Sequence, residues 1–568
     1  MLDSETVETV SSAAGIPAKT NLAARIGWAI LILAMLYICY FSHLGAIGFV
    51  GPDEPRYAWI ARDMAETGDW VTPRLYGKPW FEKPPLFYWG AALSFKLFGV
   101  SEAAARLPSA ISALLATLAL AWLAFRLYGA ETARWLLLLL PTTVAMIGFS
   151  HAAATDMPFS AMLTIAMVCA AVVLGLTRNE NTPILPQTPW LALILFGFFL
   201  GLAVLAKGPA GIILVGGAIF FWALFTKRWR DAFRIFHPAA LTSFCLTALP
   251  WYILCARRNP DFFRIFIIEH NFKRYLTPEF QHIQPFWYYV PILLVAFLPW
   301  IAILLWSLVK GTAKLWRTRS TSASTWLFLC WAGFCLLFFS VSKSKLPGYI
   351  LPAFPAIGLL ISRDLSGRLQ RGLNGIRWLC LVVGLTFVGL GMTAYQLNER
   401  IPFVTDIRPA PTVVLFSGFL VLSGVVLGIR GVQRPSRSLL VLAAMVLPAF
   451  MTFGTENLWR LDEGLSARPT AQGMMDNWPP TELAGATTFK LGRGLKFGLN
   501  FYLRRELVDW SPSIGHSSIV FTSHEHTNEL QEMGVHCFRG NAFPAVEFCV
   551  DPGTIPGLAG GLPRSGQP

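Results

Sequence analysis

Residues 27–66 read GWAILILAMLYICYFSHLGAIGFVGPDEPRYAWIARDMAE. The first half is an apolar run long enough for one membrane crossing, since a hydrocarbon core about 30 Å thick takes roughly 20 helical residues. The run stops at Gly51-Pro52, and two adjacent carboxylates, Asp53 and Glu54, follow at the rim. From there the apolar positions fall at Tyr57, Ile60, Ala61 and Met64, the i, i+3, i+4, i+7 spacing of a helix. Arg56, Arg62, Asp63 and Glu66 take its other side, which predicts a short helix lying in the headgroup plane. A span that delivers a carboxylate pair to the bilayer rim sets the pattern for the rest of the chain.

Of 568 residues, 54% are hydrophobic and only 14% charged, against about 25% charged in a soluble protein. Apolar runs predict thirteen spans, at about 27–48, 106–127, 132–150, 157–177, 189–206, 209–226, 238–256, 287–308, 324–341, 347–362, 376–395, 411–430 and 438–455. The first 25 residues are polar and mixed without a basic leader, so the first span is expected to stay in place as an anchor. The net charge of +14 does not point to nucleic acid, because Lys and Arg gather in short loops between apolar runs. Lys227 to Arg230, Lys310 to Arg319, Arg363 to Arg377 and Arg430 to Arg437 all fall on one face, which is then cytoplasmic. The opposite face receives the loop 49–105, the turns at Asp156 and Lys207, the loop 257–286, the turn 342–348 and a polar tail from about 456. That tail, 456–568, reads as a small α/β domain, with strands at Ser518–Thr522 and Ala545–Val550 and a helix at Thr527–Met533. Seven cysteines lie in or beside spans, whereas Cys537 and Cys549 lie in the tail and could pair if it faces an oxidising compartment.

The chemistry-bearing residues crowd onto that second face. Asp53 and Glu54 could orient an acceptor, bind a metal or act as a base, although Asp53 also sits where a helix cap belongs. After Gly77-Lys78-Pro79 a second interfacial helix is expected from Pro85 to Leu97, preceded by Trp80-Phe81-Glu82-Lys83-Pro84. Lys83 suits a phosphate at headgroup level as a compact point charge, or it simply snorkels; Glu82 could bind a metal or pair with a cation. Asp156, between two apolar runs, is costly enough to be a functional candidate and equally could cap the next helix. Lys207 makes a Lys-Gly-Pro turn. His270 and Arg274 would share a helix face at i, i+4, where His270 could ligate a metal or merely hydrogen-bond. Tyr349 falls at the outer interface, where a tyrosine is ordinary. The chain has no P-loop, GxGxxG or HExxH pattern, so neither an ATP-driven pump nor a transferase fed by a cytoplasmic nucleotide donor is expected.

Taken together, DEPRYAWIARDM, GDWVTPRLYGKPWFEKPP, TDMP, AKGPAG, EHNFKRY, PFWYYVP and SKLPGYILPAFPA resemble the ArnT-type aminoarabinose transferases of the GT-C superfamily, over roughly residues 25–360. Protein O-mannosyltransferases share the acidic pair, so the pair alone is weak; FEKP with EHxxxR and KLPxYILP is more specific. The resemblance implies a mainly α membrane protein with the GT-C fold: a cytoplasmic segment 1–25, a thirteen-span catalytic domain 26–455 and a periplasmic α/β domain 456–568. It implies Asp53, with Glu54 and Asp156, as catalytic candidates, and Lys83, Arg274, Lys207 and Tyr349 around the donor phosphate. Glu82 and His270 match positions that contact a divalent, zinc-like metal in that family.

The activity implied is transfer of a sugar, expected to be 4-amino-4-deoxy-L-arabinose, from undecaprenyl phosphate to a lipid A phosphate with inversion. A monomer in the bacterial inner membrane, its site facing the periplasm, is expected to carry it out. Masking a lipid A phosphate with an amino sugar would bring resistance to cationic peptides such as polymyxin. Two alternatives stand beside this: another polyprenyl-phosphate-dependent transferase with a hexosamine or mannose donor and a protein or glycan acceptor, or a lipid or polysaccharide transporter. A transporter is expected to place polar groups on both faces and at the midplane of broken helices.

Overall fold

The computed structural model describes residues 22–177, 189–273, 283–318, 321–371, 374–400, 411–434, 437–453, 462, 464–511, 519–538 and 547–550. Its first helix, α1 (Leu22–Tyr40), leads through a turn to α2 (Asp53–Thr67). Three local features define α2. Asp53 and Glu54 stand in the first turn, where the helix dipole favours carboxylates; Pro55 is tolerated there; and Gly68, at φ 74°, closes the C-terminus by donating to the Met64 carbonyl.

The bundle continues through α3 (Leu86–Phe98), α4 (Glu102–Tyr128), α5 (Ala130–Leu139), α6 (Val144–Ser150), α7 (Asp156–Val173), α8 (Trp190–Lys207), α9 (Ala210–Thr226) and α10 (Pro238–Arg258). A π-helical segment, Arg264–Lys273, precedes α11 (Tyr289–Ala296), α12 (Ile301–Thr318) and α13 (Ala323–Val341). A 3₁₀ turn, Pro347–Ala353, then feeds α14 (Phe354–Arg371), followed by α15 (Asn374–Arg400), α16 (Pro411–Gln433) and α17 (Arg437–Phe453). Helix α7 is buried along nearly its whole length, packed chiefly between α4 and α8.

Among the described residues six helices are long and apolar enough to cross a membrane, and the bent pair α5–α6 makes a seventh. The thirteen apolar runs therefore do not translate into thirteen unbroken helices. The run 132–150 breaks between α5 and α6 with a 65° bend, and the run 287–308 breaks at 297–300, between α11 and α12. The two breaks meet. Val144 donates its backbone N–H to the Leu298 carbonyl at 3.0 Å, and the Trp300 indole donates to the Thr142 hydroxyl at 2.9 Å. Each break thus supplies polar partners to the other, which irregular backbone inside an apolar bundle requires. The basic stretch from Arg363 differs from its expected form too: α14 stays helical to Arg371.

Helices α8 and α10 approach through Gly197 and Gly201, a small-xxx-small pair. A Cβ on Gly197 would stand 2.1 Å from the Ala240 carbonyl oxygen, and one on Gly201 would stand 2.7 Å from the Thr247 Cβ.

The tail contributes α18 (Arg468–Asn477), α19 (Arg493–Tyr502), α20 (Thr527–Glu532) and a small sheet. An outlying hairpin in the first loop pairs β1 (Arg74–Leu75) with β2 (Lys78–Pro79). The tail strands β3 (Thr487–Phe489), β4 (Val520–Thr522), β5 (His536–Phe538) and β6 (Glu547–Val550) lie in the order β3-β4-β6-β5. β3 and β4 are parallel and the other pairs antiparallel, with Cys537 opposite Cys549 in the register. Those two cysteines form a disulfide.

This tail alters the expected setting of α2. Tyr57, Ile60, Ala61 and Met64 are buried as predicted, but so are Arg56 and Arg62 on the supposed polar side. α3 covers the first face through Phe87 and Tyr88. α19 covers the second: the Arg62 guanidinium lies 4.9 Å from the Phe501 ring and donates to the Phe501 carbonyl at 3.2 Å. Rather than floating in the headgroup plane, α2 is sandwiched.

Candidate active site

At the start of α2 the residue before the helix is Pro52, and no side chain caps it. Asp53 is the first helical residue, and its carboxylate pairs with Arg56 one turn on instead of with the backbone. The Asp53 side chain is 48% exposed, whereas that of Arg56 is 5% exposed. Arg56 also donates to the Pro52 carbonyl at 2.9 Å and to Glu82 Oε2 at 3.2 Å. Its flat face lies against Trp80 at 5.5 Å and Phe497 of α19 at 5.2 Å. Burial alone pulls the Arg56 pKa down, but Glu82, Tyr57 and Asp53 outweigh it and the value stands above its ordinary one. The guanidinium is a fixed positive charge between two carboxylates. Lys83 stands 3.7 Å from Glu82 Oε1, which completes a row of Asp53, Arg56, Glu82 and Lys83.

Glu54 turns elsewhere, into a buried network that engages both of its oxygens. Its Oε2 accepts from the Val50 amide at 2.8 Å and from Arg106 at 2.7 Å; its Oε1 accepts from Arg106 at 3.1 Å and from the Ala153 amide at 2.6 Å. Arg106 in turn donates to the carbonyls of Leu44, Ile47 and Gly48. With both oxygens engaged and the side chain 9% exposed, Glu54 ties three segments together and is a positioning residue.

Through Ala153 that knot also places the loop before α7. Asp156 begins α7 and forms an ion pair with Lys207, the last residue of α8. The Lys207 ammonium lies 4.6 Å from the Tyr349 ring centre and 5.6 Å from that of Phe159. Gly348 lets the 342–348 turn close over this pair, since a Cβ there would stand 2.9 Å from Asp156 Oδ1. Lys345 anchors the same turn by donating to the carbonyls of Gln284 and Ser342 at 2.9 and 2.6 Å.

An aromatic knot joins the two groups. Phe81, beside Glu82, packs with Leu205, Trp251, Phe262 and Phe266, so the Glu82-Lys83 strip, the end of α8 and the segment bearing His270 share one buried cluster. His270 lies on the π-helical turn Arg264–Lys273, not on the α-helix its spacing predicted. Arg274 lies outside the described residues. A metal at Glu82 and His270 is not supported by the donor set: both Glu82 oxygens already face cations, and no group of three or more His, Cys, Asp or Glu among the described residues could hold an ion.

Three residues of the site escaped the sequence reading. Arg56 reads as part of the polar side of an interfacial helix, although its spacing from Asp53 is that of an ion pair. Arg106 opens an apolar run, a costly placement that was itself a signal. Phe497 had none, because it returns from the far end of the chain.

Residues 26–266 match the dolichyl-phosphate-mannose-protein mannosyltransferase family. Over 387 residues the chain is 33% identical to the undecaprenyl phosphate-alpha-4-amino-4-deoxy-L-arabinose arabinosyl transferase of Erwinia tasmaniensis, covering 68% of this chain and 64% of the relative. With the transferase of that name from Aeromonas salmonicida it shares 34% identity over 345 residues, 61% of each. The match thus spans under two thirds of the length of these relatives. The crystal structure of ArnT from Cupriavidus metallidurans bound to undecaprenyl phosphate superimposes with a TM-score of 0.72 at 23% identity, over 94% of this chain and 99% of that one. The chain is similar to the ArnT-type transferases over much of its length and shares the fold of the solved ArnT. The likeness seen in the motifs therefore extends to the architecture, and the apo form of the same ArnT superimposes equally well, at a TM-score of 0.71.

Proposed function

We propose that the chain is an integral-membrane glycosyltransferase moving 4-amino-4-deoxy-L-arabinose from undecaprenyl phosphate to a phosphate of lipid A, at the outer face of the bacterial inner membrane. The observation that carries this is the gathering of Asp53, Arg56, Glu82, Lys83, Asp156 and Lys207 at one end of an otherwise apolar bundle. Homology to the aminoarabinose transferases supports the sugar and the donor. The tail disulfide supports an oxidising compartment on this side.

Lys83 and Lys207 each stand beside a carboxylate they can exchange for the donor phosphate, with Tyr349 beside Lys207. Held there, they stabilise the charge that develops as the lipid phosphate leaves. An oxygen of the acceptor phosphate attacks the anomeric carbon from the opposite face and forms the new C–O bond. The bond to the undecaprenyl phosphate oxygen breaks, its electron pair departs with that phosphate, and the configuration inverts. The acceptor is already anionic, so no strong base is needed. Asp53, half exposed and fixed by Arg56, steadies the positive charge that builds on the sugar or its amine.

The test incubates purified protein with the aminoarabinose donor and lipid A and weighs the product. Addition of one pentosamine is expected. Lipid A left at its original mass, or preferred use of a hexosamine or mannose polyprenyl-phosphate donor or of a protein acceptor offered in competition, overturns the assignment.

A further inference from the structure

A cavity lies away from these residues. The Pro347–Ala353 turn closes over Asp156, and α14 runs away from it, while α13 runs toward it and ends at Val341. Between α12, α13 and α14, on the far part of these helices, is a crevice of about 580 Å³, within the range of roughly 300–1,000 Å³ that ligand sites occupy. Its wall is apolar, with Leu304, Leu336 and Ile357, and its outer end is polar, with Thr312, Arg363 and Gln370. Along α14 the lining runs from Ile357 to Gln370, roughly 20 Å at about 1.5 Å per residue. One leaflet contributes about 15 Å, half of the roughly 30 Å hydrocarbon core. The crevice is therefore one lipid deep.

At the outer end two carboxylates are already engaged, Glu131 by Gln370 at 3.1 Å and Asp364 by two partners. Asp364 accepts from Ser307 at 2.8 Å and from Arg368 at 2.7 Å. Arg363 stacks on the Tyr128 ring at 4.5 Å and donates to the Thr325 hydroxyl, and no carboxylate among the described residues pairs with it. Two glycines keep the space open: Gly311 and Gly333 both line the crevice, and a Cβ on either would meet nothing within 4 Å.

We infer that this crevice binds one anionic phospholipid of the leaflet at its own end of the bundle, an acyl chain along the leucine wall and the headgroup phosphate on Arg363. The planar guanidinium fork suits a phosphate, and an acyl chain fills a slot that water would leave unfavourably apolar. Nothing in this depends on the transfer reaction.

Native mass spectrometry of the full chain, released from detergent micelles holding equal phosphatidylglycerol and phosphatidylcholine, tests it. Wild type is expected to carry one phosphatidylglycerol. Gly333→Leu, whose new side chain enters open space, should lower that occupancy at least about tenfold with its melting temperature unchanged in lipid-free detergent. Arg363→Gln should erase the preference for phosphatidylglycerol, and Arg363→Lys should keep most of it. Unchanged occupancy in Gly333→Leu, equal binding of the two lipids by wild type, or a bound mass equal to a polyprenyl phosphate each overturns the inference. Should Arg363→Gln fail to fold, Gly333→Leu decides alone.

Discussion

Asp53 keeps its carboxylate half exposed beside Arg56, while Glu54, the next residue, commits both oxygens to Arg106 and two backbone amides. The same side-chain chemistry therefore meets two fates, and substitution separates them. Asp53→Asn is expected to lower turnover by about a hundredfold or more, the size of losing one oriented electrostatic group. Its stability should move by under about 1 kcal/mol, because a half-exposed pair contributes little. A normal melting temperature with wild-type turnover would remove Asp53 from the mechanism. Glu54→Gln should do the reverse damage, costing about 3–5 kcal/mol by leaving Arg106 buried without its charge partner. A thermal melt checks this, and an unshifted midpoint with lost turnover would return Glu54 to chemistry. The sequence marked the pair as special but could not divide its roles, because the residue that decides, Arg106, lies 52 positions away. Asp156 shows the same limit: its partner Lys207 is 51 positions off, and each was legible only as a charge beside an apolar run.

Between residues and whole chain, the elements show what periodicity does and does not reveal. The i, i+3, i+4, i+7 spacing located α2, and the turn-rich Gly77-Lys78-Pro79 located the gap before α3. The interruptions near Thr142 and Pro299 were hidden, because hydropathy averaged over a span smooths across a break whose polar groups are satisfied by another break. Close approach of helices was equally hidden, although Gly197 and Gly201 spell it in retrospect. Gly197→Val is expected to push α10 off α8, since even a methyl group would collide with the Ala240 carbonyl. Overpacking of this kind costs about 1–3 kcal/mol, and it should also displace Lys207 at the end of α8. A lower melting temperature together with a raised donor KM is the expected pair of readouts. A raised KM alone, at unchanged stability, would mean that the helix contact is not what places Lys207.

Across the whole molecule, the tail returns to the first loop and completes it. Its strands and its helix were readable from local composition, but its docking was not, since Arg62 and Phe501 are 439 residues apart. Arg468 fastens the two regions, meeting Glu102 at 3.3 Å and the carbonyls of Gly45 and Ala46 at 2.9 and 2.7 Å. Tyr502 adds a hydrogen bond to Glu102 at 2.8 Å. Once fastened, α19 lays Phe497 against Arg56, the cation that holds Asp53. The donor side of the site, with Lys83 and Lys207, is built by the first loop and α8 instead. On the proposed function, a division of labour is expected: the tail sets the acceptor's approach to the sugar beside Asp53, and the bundle holds the donor phosphate. Phe497→Ala removes one cation–ring contact, so the acceptor KM is expected to rise about two- to fivefold while the donor KM stays put. Steady-state kinetics with each substrate varied in turn makes the comparison. If both constants move together, Phe497 supports the fold of the whole site and the tail has no separate hand in choosing the acceptor.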